Sequence, residues 1–135
     1  MIYDLFDYAN YSKPNTIIKH KKSIISHHAG FLKIENDPII DRVSAGMLIK
    51  FSDLLPNYPY KLSIEAELVS GDQAFVFIES ATTRLVPRTW LFDLNKLQRY
   101  EIPFQLNTPE DIRIGVLFCN KGMKYIIHIT EFNLN

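Results

Sequence analysis

The chain has 135 residues, 47% of them apolar, and its 15 Lys and Arg cancel its 15 Asp and Glu. That length suits a single domain, 1–135, with enough material for a full core, and the balanced charge gives no global pull toward nucleic acid or an anionic membrane. Cys119 is the only cysteine, which excludes an internal disulfide and a cysteine-based metal cluster; behind Val116-Leu117-Phe118 it reads as a partly buried free thiol.

The amino terminus carries early acids and no long apolar core, unlike a signal peptide, and no stretch approaches the ~20 apolar residues of a membrane span. A soluble protein is expected, with no compartment assigned. Tyr3, Leu5, Phe6, Tyr8 and Tyr11 fall in a segment, 1–15, without clear periodicity, which either covers one edge of the core or docks on a partner chain. Ile17-Ile18 and Ile24-Ile25 predict two short strands or one interrupted strand, with Lys19-His20-Lys21-Lys22 as a solvated loop between them; a phosphate-binding patch is the sharper alternative, and it lacks interleaved aromatics. His27-His28 invites a metal reading, but adjacent residues on a strand point to opposite faces and no Asp, Glu or Cys stands at a recognisable ligand spacing, so no metal site is expected.

Leu32 and Ile34 alternate with Lys33 and Glu35, and Asn36-Asp37-Pro38 ends that strand. Met47, Ile49 and Phe51 share a parity in a strand over Ala45 to Phe51. Pro56 and Pro59 lack an N–H and forbid pairing through the next loop. From Tyr60, Leu62, Ile64, Ala66 and Leu68 alternate with Lys61, Ser63, Glu65 and Glu67, the period of a strand with one buried and one wet face. Ser70-Gly71-Asp72 is a turn, and Ala74 to Ile78 is apolar on both parities, which predicts a strand covered on both faces. Two consecutive strands of unequal burial imply a sheet packed on a second layer. Val86 to Phe92 resumes strand character, and Asp93 to Leu97 reads as a loop. Tyr100, Ile102, Phe104 and Leu106 alternate around Pro103, which marks an edge or a bulged strand. Ile112 to Phe118 alternates again, Asn120-Lys121-Gly122-Met123 reads as a hairpin turn, and the parity slip between Ile129 and Phe132 predicts a β-bulge near Thr130-Glu131. About nine strands with turn signals every 8–12 residues predict an all-β, two-sheet antiparallel β-sandwich.

From Gly30 to Asn135 the chain resembles the jelly-roll carbohydrate-binding modules, the galactose-binding-like sandwich. The likeness is carried by Gly30-Phe31-Leu32-Lys33-Ile34-Glu35-Asn36, by Leu55-Pro56 with the strand Tyr60-Lys61-Leu62-Ser63-Ile64-Glu65-Ala66, and by the close Tyr100-x-Ile102-x-Phe104, Asp111-Ile112-Arg113-Ile114-Gly115 and Ile129-x-x-Phe132-x-Leu134. The resemblance implies a jelly roll and a non-catalytic, lectin-like accessory domain whose partner is a glycan or glycoprotein. In that family the last strand commonly carries Asp-Asp, the first often on a structural calcium; Thr130 and Glu131 stand there in this chain, and the opening Asn-x-x-Phe-Glu is missing. No cofactor is therefore expected, calcium being the one open exception.

Sugar recognition needs flat rings for C–H faces and polar groups for hydroxyls. Trp90, Tyr58 and Tyr11 are the candidate rings; Arg88, Arg84, Gln73 and Glu79 are the candidate polar partners. Trp90 also reads as a core anchor, Tyr58 as an exposed loop tyrosine, and the arginines as surface charges. Glu65 and Glu67 share a strand face, but no Ser-His-Asp spacing, Gly-rich phosphate loop or His-x-x-Glu motif accompanies them, so no catalysis is expected. The alternative is a structural or assembly module, such as a viral or phage appendage domain, with Tyr3, Phe6, Tyr8 and Tyr11 anchoring a protein interface.

Overall fold

In the computed structural model, residues 3–4, 17–20, 23–36, 45–80, 83–91, 93–118 and 123–135 are described. They form eleven strands and no helix: β1 (Tyr3–Asp4), β2 (Ile17–His20), β3 (Ile24–His28), β4 (Phe31–Glu35), β5 (Ala45–Phe51), β6 (Tyr60–Ser70), β7 (Ala74–Ser80), β8 (Thr89–Leu91), β9 (Leu97–Phe104), β10 (Ile112–Phe118) and β11 (Ile126–Leu134). One sheet has the order β3-β4-β11-β6-β9, with β1 also pairing to β11, and the other has the order β2-β5-β10-β7-β8. All pairings between named strands are antiparallel. The two-sheet sandwich expected from the alternation is present, and the count rises to eleven because short pieces such as Tyr3–Asp4 join the sheets.

The inner faces meet in one core. Leu32 and Ile34 of β4, Leu62, Ile64 and Leu68 of β6, and Ile127, Ile129, Phe132 and Leu134 of β11 face Met47, Ile49 and Phe51 of β5, Val76 and Ile78 of β7, and Ile112, Ile114 and Val116 of β10. Each of these strands turns alternate residues into this core, as the pleat requires. The slip in β11 is the predicted bulge: Ile129 stands opposite Ala66 and Glu131 opposite Glu65, so Thr130 is the extra residue. It lets Ile129 and Phe132 both point inward. Pro103 sits in β9, which among the described strands pairs only with β6 and forms the sheet edge, where a missing N–H costs no ladder bond.

Four local expectations are corrected. Asn120 to Met123 does not close a hairpin: β10 and β11 lie in different sheets. Both edges of β10 are taken, by β5 and β7, so the chain must cross to the other layer. Lys19 and His20 belong to β2, which among the described strands pairs with β5 at the edge of its sheet, and not to a loop. Of the strand expected over Val86 to Phe92, Phe92 lies outside the described residues and pairing over the rest is confined to Thr89–Leu91, because Pro87 cannot donate and Leu85 and Val86 tuck against the core instead. The strand expected from Tyr100 begins earlier, at Leu97 opposite Glu67. Leu5, Phe6, Tyr8, Tyr11 and Cys119 lie outside the described residues, so the docking segment and the thiol stay as sequence expectations; the backbone at Tyr3 and Asp4 pairs with Leu134 and Asn133.

Candidate functional site

The strand predicted to be covered on both faces identifies the site. Ala74, Val76 and Ile78 enter the core, while Phe75 and Phe77 point away from it and are nonetheless only 4% and 2% exposed. With Leu48, and with Trp90 and Leu117 packed against them, they form a second apolar cluster on the outer face of the five-stranded sheet. Strand register lays this face out as rows. Leu117, Phe75 and Trp90 are lateral neighbours across β10, β7 and β8. The next row holds Leu48, Gly115 and Phe77, and the third Lys50, Arg113 and Glu79. Arg84 bridges to Glu79 beside β7.

Gly115 is what brings the second row together. A Cβ there would stand 2.2 Å from the Met47 carbonyl oxygen and 3.0 Å from Phe77 Cε1. The Phe77 ring therefore occupies space that a side chain would fill, an aromatic lying over a glycine of the neighbouring strand. In the first row, Trp90 meets Phe75 with ring centroids 5.0 Å apart at 54°, and the Arg88 guanidinium carbon sits 4.3 Å over the same Phe75 ring. That is cation–π geometry. Arg88 Nε is buried and has no hydrogen-bond partner. Behind Trp90, its carbonyl oxygen accepts from the Tyr100 hydroxyl at 3.4 Å, which in turn accepts from Gln98 Nε2 at 3.1 Å. This chain ties the edge of one sheet to the edge of the other.

Of the sequence candidates, Trp90 and Arg88 are brought together on one phenylalanine. Gln73 immediately precedes β7 on the parity of Phe75, at the same end of the sandwich. Glu79 and Arg84 lie further along the same face, four and more residues from Phe75, or about 13 Å of strand. Tyr58 is not near Trp90: it belongs to the loop that enters β6, 38% exposed, with its ring 4.6 Å from Tyr60. Tyr11 lies outside the described residues. Phe75, Phe77, Leu117, Leu48 and Arg113 were not singled out as site residues in the sequence. The signal that finds them is the parity of Leu117 and of the two phenylalanines, apolar where an exposed strand face is ordinarily polar.

The opposite outer face is a ladder of paired charges. Arg99 bonds Glu131 and lies 3.8 Å from Glu65; Lys33 and Lys124 reach Glu35 at 3.1 and 3.0 Å; Lys61 reaches Glu101 at 3.7 Å. The lysines hold the Glu35 carboxyl below the ordinary range, Lys124 first and Lys33 second. His27 and His28 take opposite faces of β3, and His28, Phe31 and His128 stack at 4.8 and 4.4 Å. Burial pushes His128 down from its ordinary value, against the raising effect of Glu67. Two described residues, Thr130 and Glu131, stand where the resemblance puts a calcium site, and both are engaged with other side chains. The Glu131 carboxylate is taken by Arg99, and the Thr130 hydroxyl donates to Glu65 at 2.7 Å, whereas calcium takes six to eight oxygen ligands.

No family model matches the chain, and no curated protein matches it in sequence. Solved structures do. A CBM4 structure is similar over 88% of this chain and 93% of its own, at a TM-score of 0.70 and 10% identity. A TmCBM61 module in complex with β-1,4-galactotriose is similar over 91% and 88%, at 0.59 and 12%. The fold is that of the jelly-roll carbohydrate-binding modules. The enzymatically active domain of bacteriophage CBA120 tailspike protein 4 shares it over 88% of this chain and 18% of its own length, at 0.56 and 9%. At these identities the likeness is one of fold.

Proposed function

We propose that this chain is a non-catalytic, carbohydrate-binding-module-like domain that recognises a glycan on the outer face of its five-stranded sheet. One observation carries the reading: Trp90 and Arg88 converge on Phe75 outside the inter-sheet core, a half-buried ring and a guanidinium held by an aromatic floor. Phe75 and Phe77 are the supporting layer; Trp90, Leu117 and Arg88 are only partly buried and present the contacts. The indole supplies a flat apolar surface for the C–H face of a pyranose, and the arginine supplies fixed donors for ring substituents. Gln73 lies within the same neighbourhood, and Arg84 and Glu79 extend the face toward a second sugar unit. Fold likeness to a CBM4 structure and to a galactotriose-bound TmCBM61 module supports this class of ligand.

The domain binds without turning its ligand over. Glu65 and Glu67, the paired carboxylates, sit on one strand of the opposite sheet and not across a cleft; Glu65 is engaged by Thr130 and by Arg99. Recognition on this reading is independent of calcium.

A glycan-array screen of the purified chain, run with calcium and again with chelator, is the test. Saturable binding to a defined glycan class in both conditions is expected. Trp90→Ala should abolish it while the circular-dichroism spectrum stays near that of the parent, because Trp90 packs on the outer cluster and not in the main core. A blank array in both conditions would overturn the reading in favour of an assembly module.

A further inference from the structure

The two outer faces of the sandwich treat their cations differently. On the six-stranded sheet, Lys33, Lys61, Lys124 and Arg99 each meet a carboxylate within 4 Å. On the five-stranded sheet, among the residues whose side chains are described, Lys50 alone does so, with Asp111 at 3.5 Å. Arg84, Arg88 and Arg113 make no ion pair among the described residues, and the one carboxylate that register places among them is Glu79, opposite Arg113 and bridged to Arg84. Three arginines against one glutamate leave this face positive, although the whole chain has a formal charge of zero. The excess is local and adjoins the aromatic floor.

Arg88 is the most telling of the three. Its guanidinium carbon stands 4.3 Å over the Phe75 ring, and its Nε is buried with no hydrogen-bond partner. A buried donor left unmade is costly, and a guanidinium presents parallel N–H groups that match the two oxygens of a carboxylate or the oxygens of a sulfate. A neutral hydroxyl satisfies one such donor and leaves the charge unanswered.

We propose that the glycan this face selects is anionic, a saccharide carrying a carboxylate or a sulfate ester on the sugar ring, with Arg88 as the principal anchor and Arg113 and Arg84 extending the positive track along the strand direction. The proposal rests on the glycan reading above and narrows its ligand.

Binding by isothermal titration to three polymers decides it: a de-esterified polyuronate, the same polymer fully methyl-esterified, and a sulfated galactan. The acid form should bind at least about tenfold more tightly than its ester, since esterification removes the charge and keeps the backbone. Raising salt from about 20 mM to about 0.5 M should weaken the acid form several-fold and leave any ester binding unchanged. Arg88→Gln should lose about tenfold or more on the acid form, and Arg88→Lys, which keeps the charge without the fork, should fall between. Arg113→Gln should lose less, and a melting temperature within a few degrees of the parent shows that the Arg88 variants fold. The polyuronate and sulfated arms separate carboxylate from sulfate as the source of charge. Equal binding of acid and ester, or an Arg88→Gln variant that binds the acid as the parent does, overturns the anionic assignment while the glycan reading stands. Binding to none of these polymers or to any arrayed glycan overturns both.

Discussion

Asn36 gives a direct test of how the fold holds the turn between its last two strands. The residue is 5% exposed. Oδ1 accepts from the Tyr125 backbone N–H at 2.6 Å, Nδ2 donates to the Met123 carbonyl at 2.9 Å, and its own N–H donates to the Tyr125 carbonyl at 3.3 Å. One side chain thus clamps the segment leading into β11 onto the end of β4. Asn36→Ala strips the acceptor from a buried Tyr125 N–H, which costs about 1–3 kcal/mol, and exposes the Met123 carbonyl to water at a cost of roughly 0.5–1 kcal/mol. A loss of about 2–3 kcal/mol is expected. With a urea slope of about 1.5 kcal/mol/M, the unfolding midpoint falls by roughly 1–2 M. Lys124 supplies the contrast within the same turn. It donates to Glu35 and to the Asn36 carbonyl at 3.0 Å each, but its side chain is 41% exposed, so Lys124→Ala should cost under about 1 kcal/mol. Urea denaturation followed by near-ultraviolet circular dichroism reads both variants. An Asn36→Ala midpoint within 0.3 M of the parent on the order of measurement error, or one no lower than that of Lys124→Ala, would refute the reasoning.

Gly115→Ala should destabilise the domain by about 2–3 kcal/mol, since the new Cβ would meet the backbone of Met47 and Leu48, at 2.2 and 2.8 Å, before it met the Phe77 ring; an unchanged urea midpoint would show that β5 and β10 part freely. Stability should also fall in acid, in two steps. His128 has its folded pKa below the ordinary ~6.5, so its contribution is complete above that value and is lost as pH drops through the folded one; His128→Gln should flatten this step, and an unaltered slope between pH values of about 7.5 and 5.5 counts against it. Glu35, likewise depressed by Lys124 and Lys33, contributes fully above the ordinary carboxyl value and loses that contribution as pH falls through its lower folded one. The Glu35→Gln variant should remove the second step in the same titration.

Period-2 alternation carried most of the fold because it reports which residues face a core: the apolar parity of β6, β10 and β11 is the buried one, apart from Ile126 at the start of β11, and β7, apolar on both parities, is buried on both faces. It even located the bulge, since Thr130 is where the inward parity changes. What alternation does not encode is which strands pair. Among the described strands, only β3–β4 and β7–β8 join neighbours in sequence; the other connections cross between sheets or pair distant segments. The sequence of Asn120 to Met123 has the composition of a hairpin turn, and nothing local in it reveals that β10 already has a partner on each edge.

The same limit explains the candidate site. Trp90 and Arg88 were legible as residue types suited to sugar binding, yet their meeting point, Phe75, belongs to another strand and is set by the register Phe75 to Trp90. Tyr58 carried an equally suitable ring and lies elsewhere, because the loop bearing it is tied to Leu106 through Asn57 and to Tyr60 through Leu55. A sequence thus supplies the chemistry of a binding face, while cross-strand register decides which of those groups become neighbours. Here register puts Arg84, Arg88 and Arg113, which make no ion pair among the described residues, on the face that carries the aromatic floor, and the paired Arg99 on the far sheet, and it is that segregation, invisible in a net charge of zero, that turns a general expectation of sugar binding into a specific claim about the charge of the sugar.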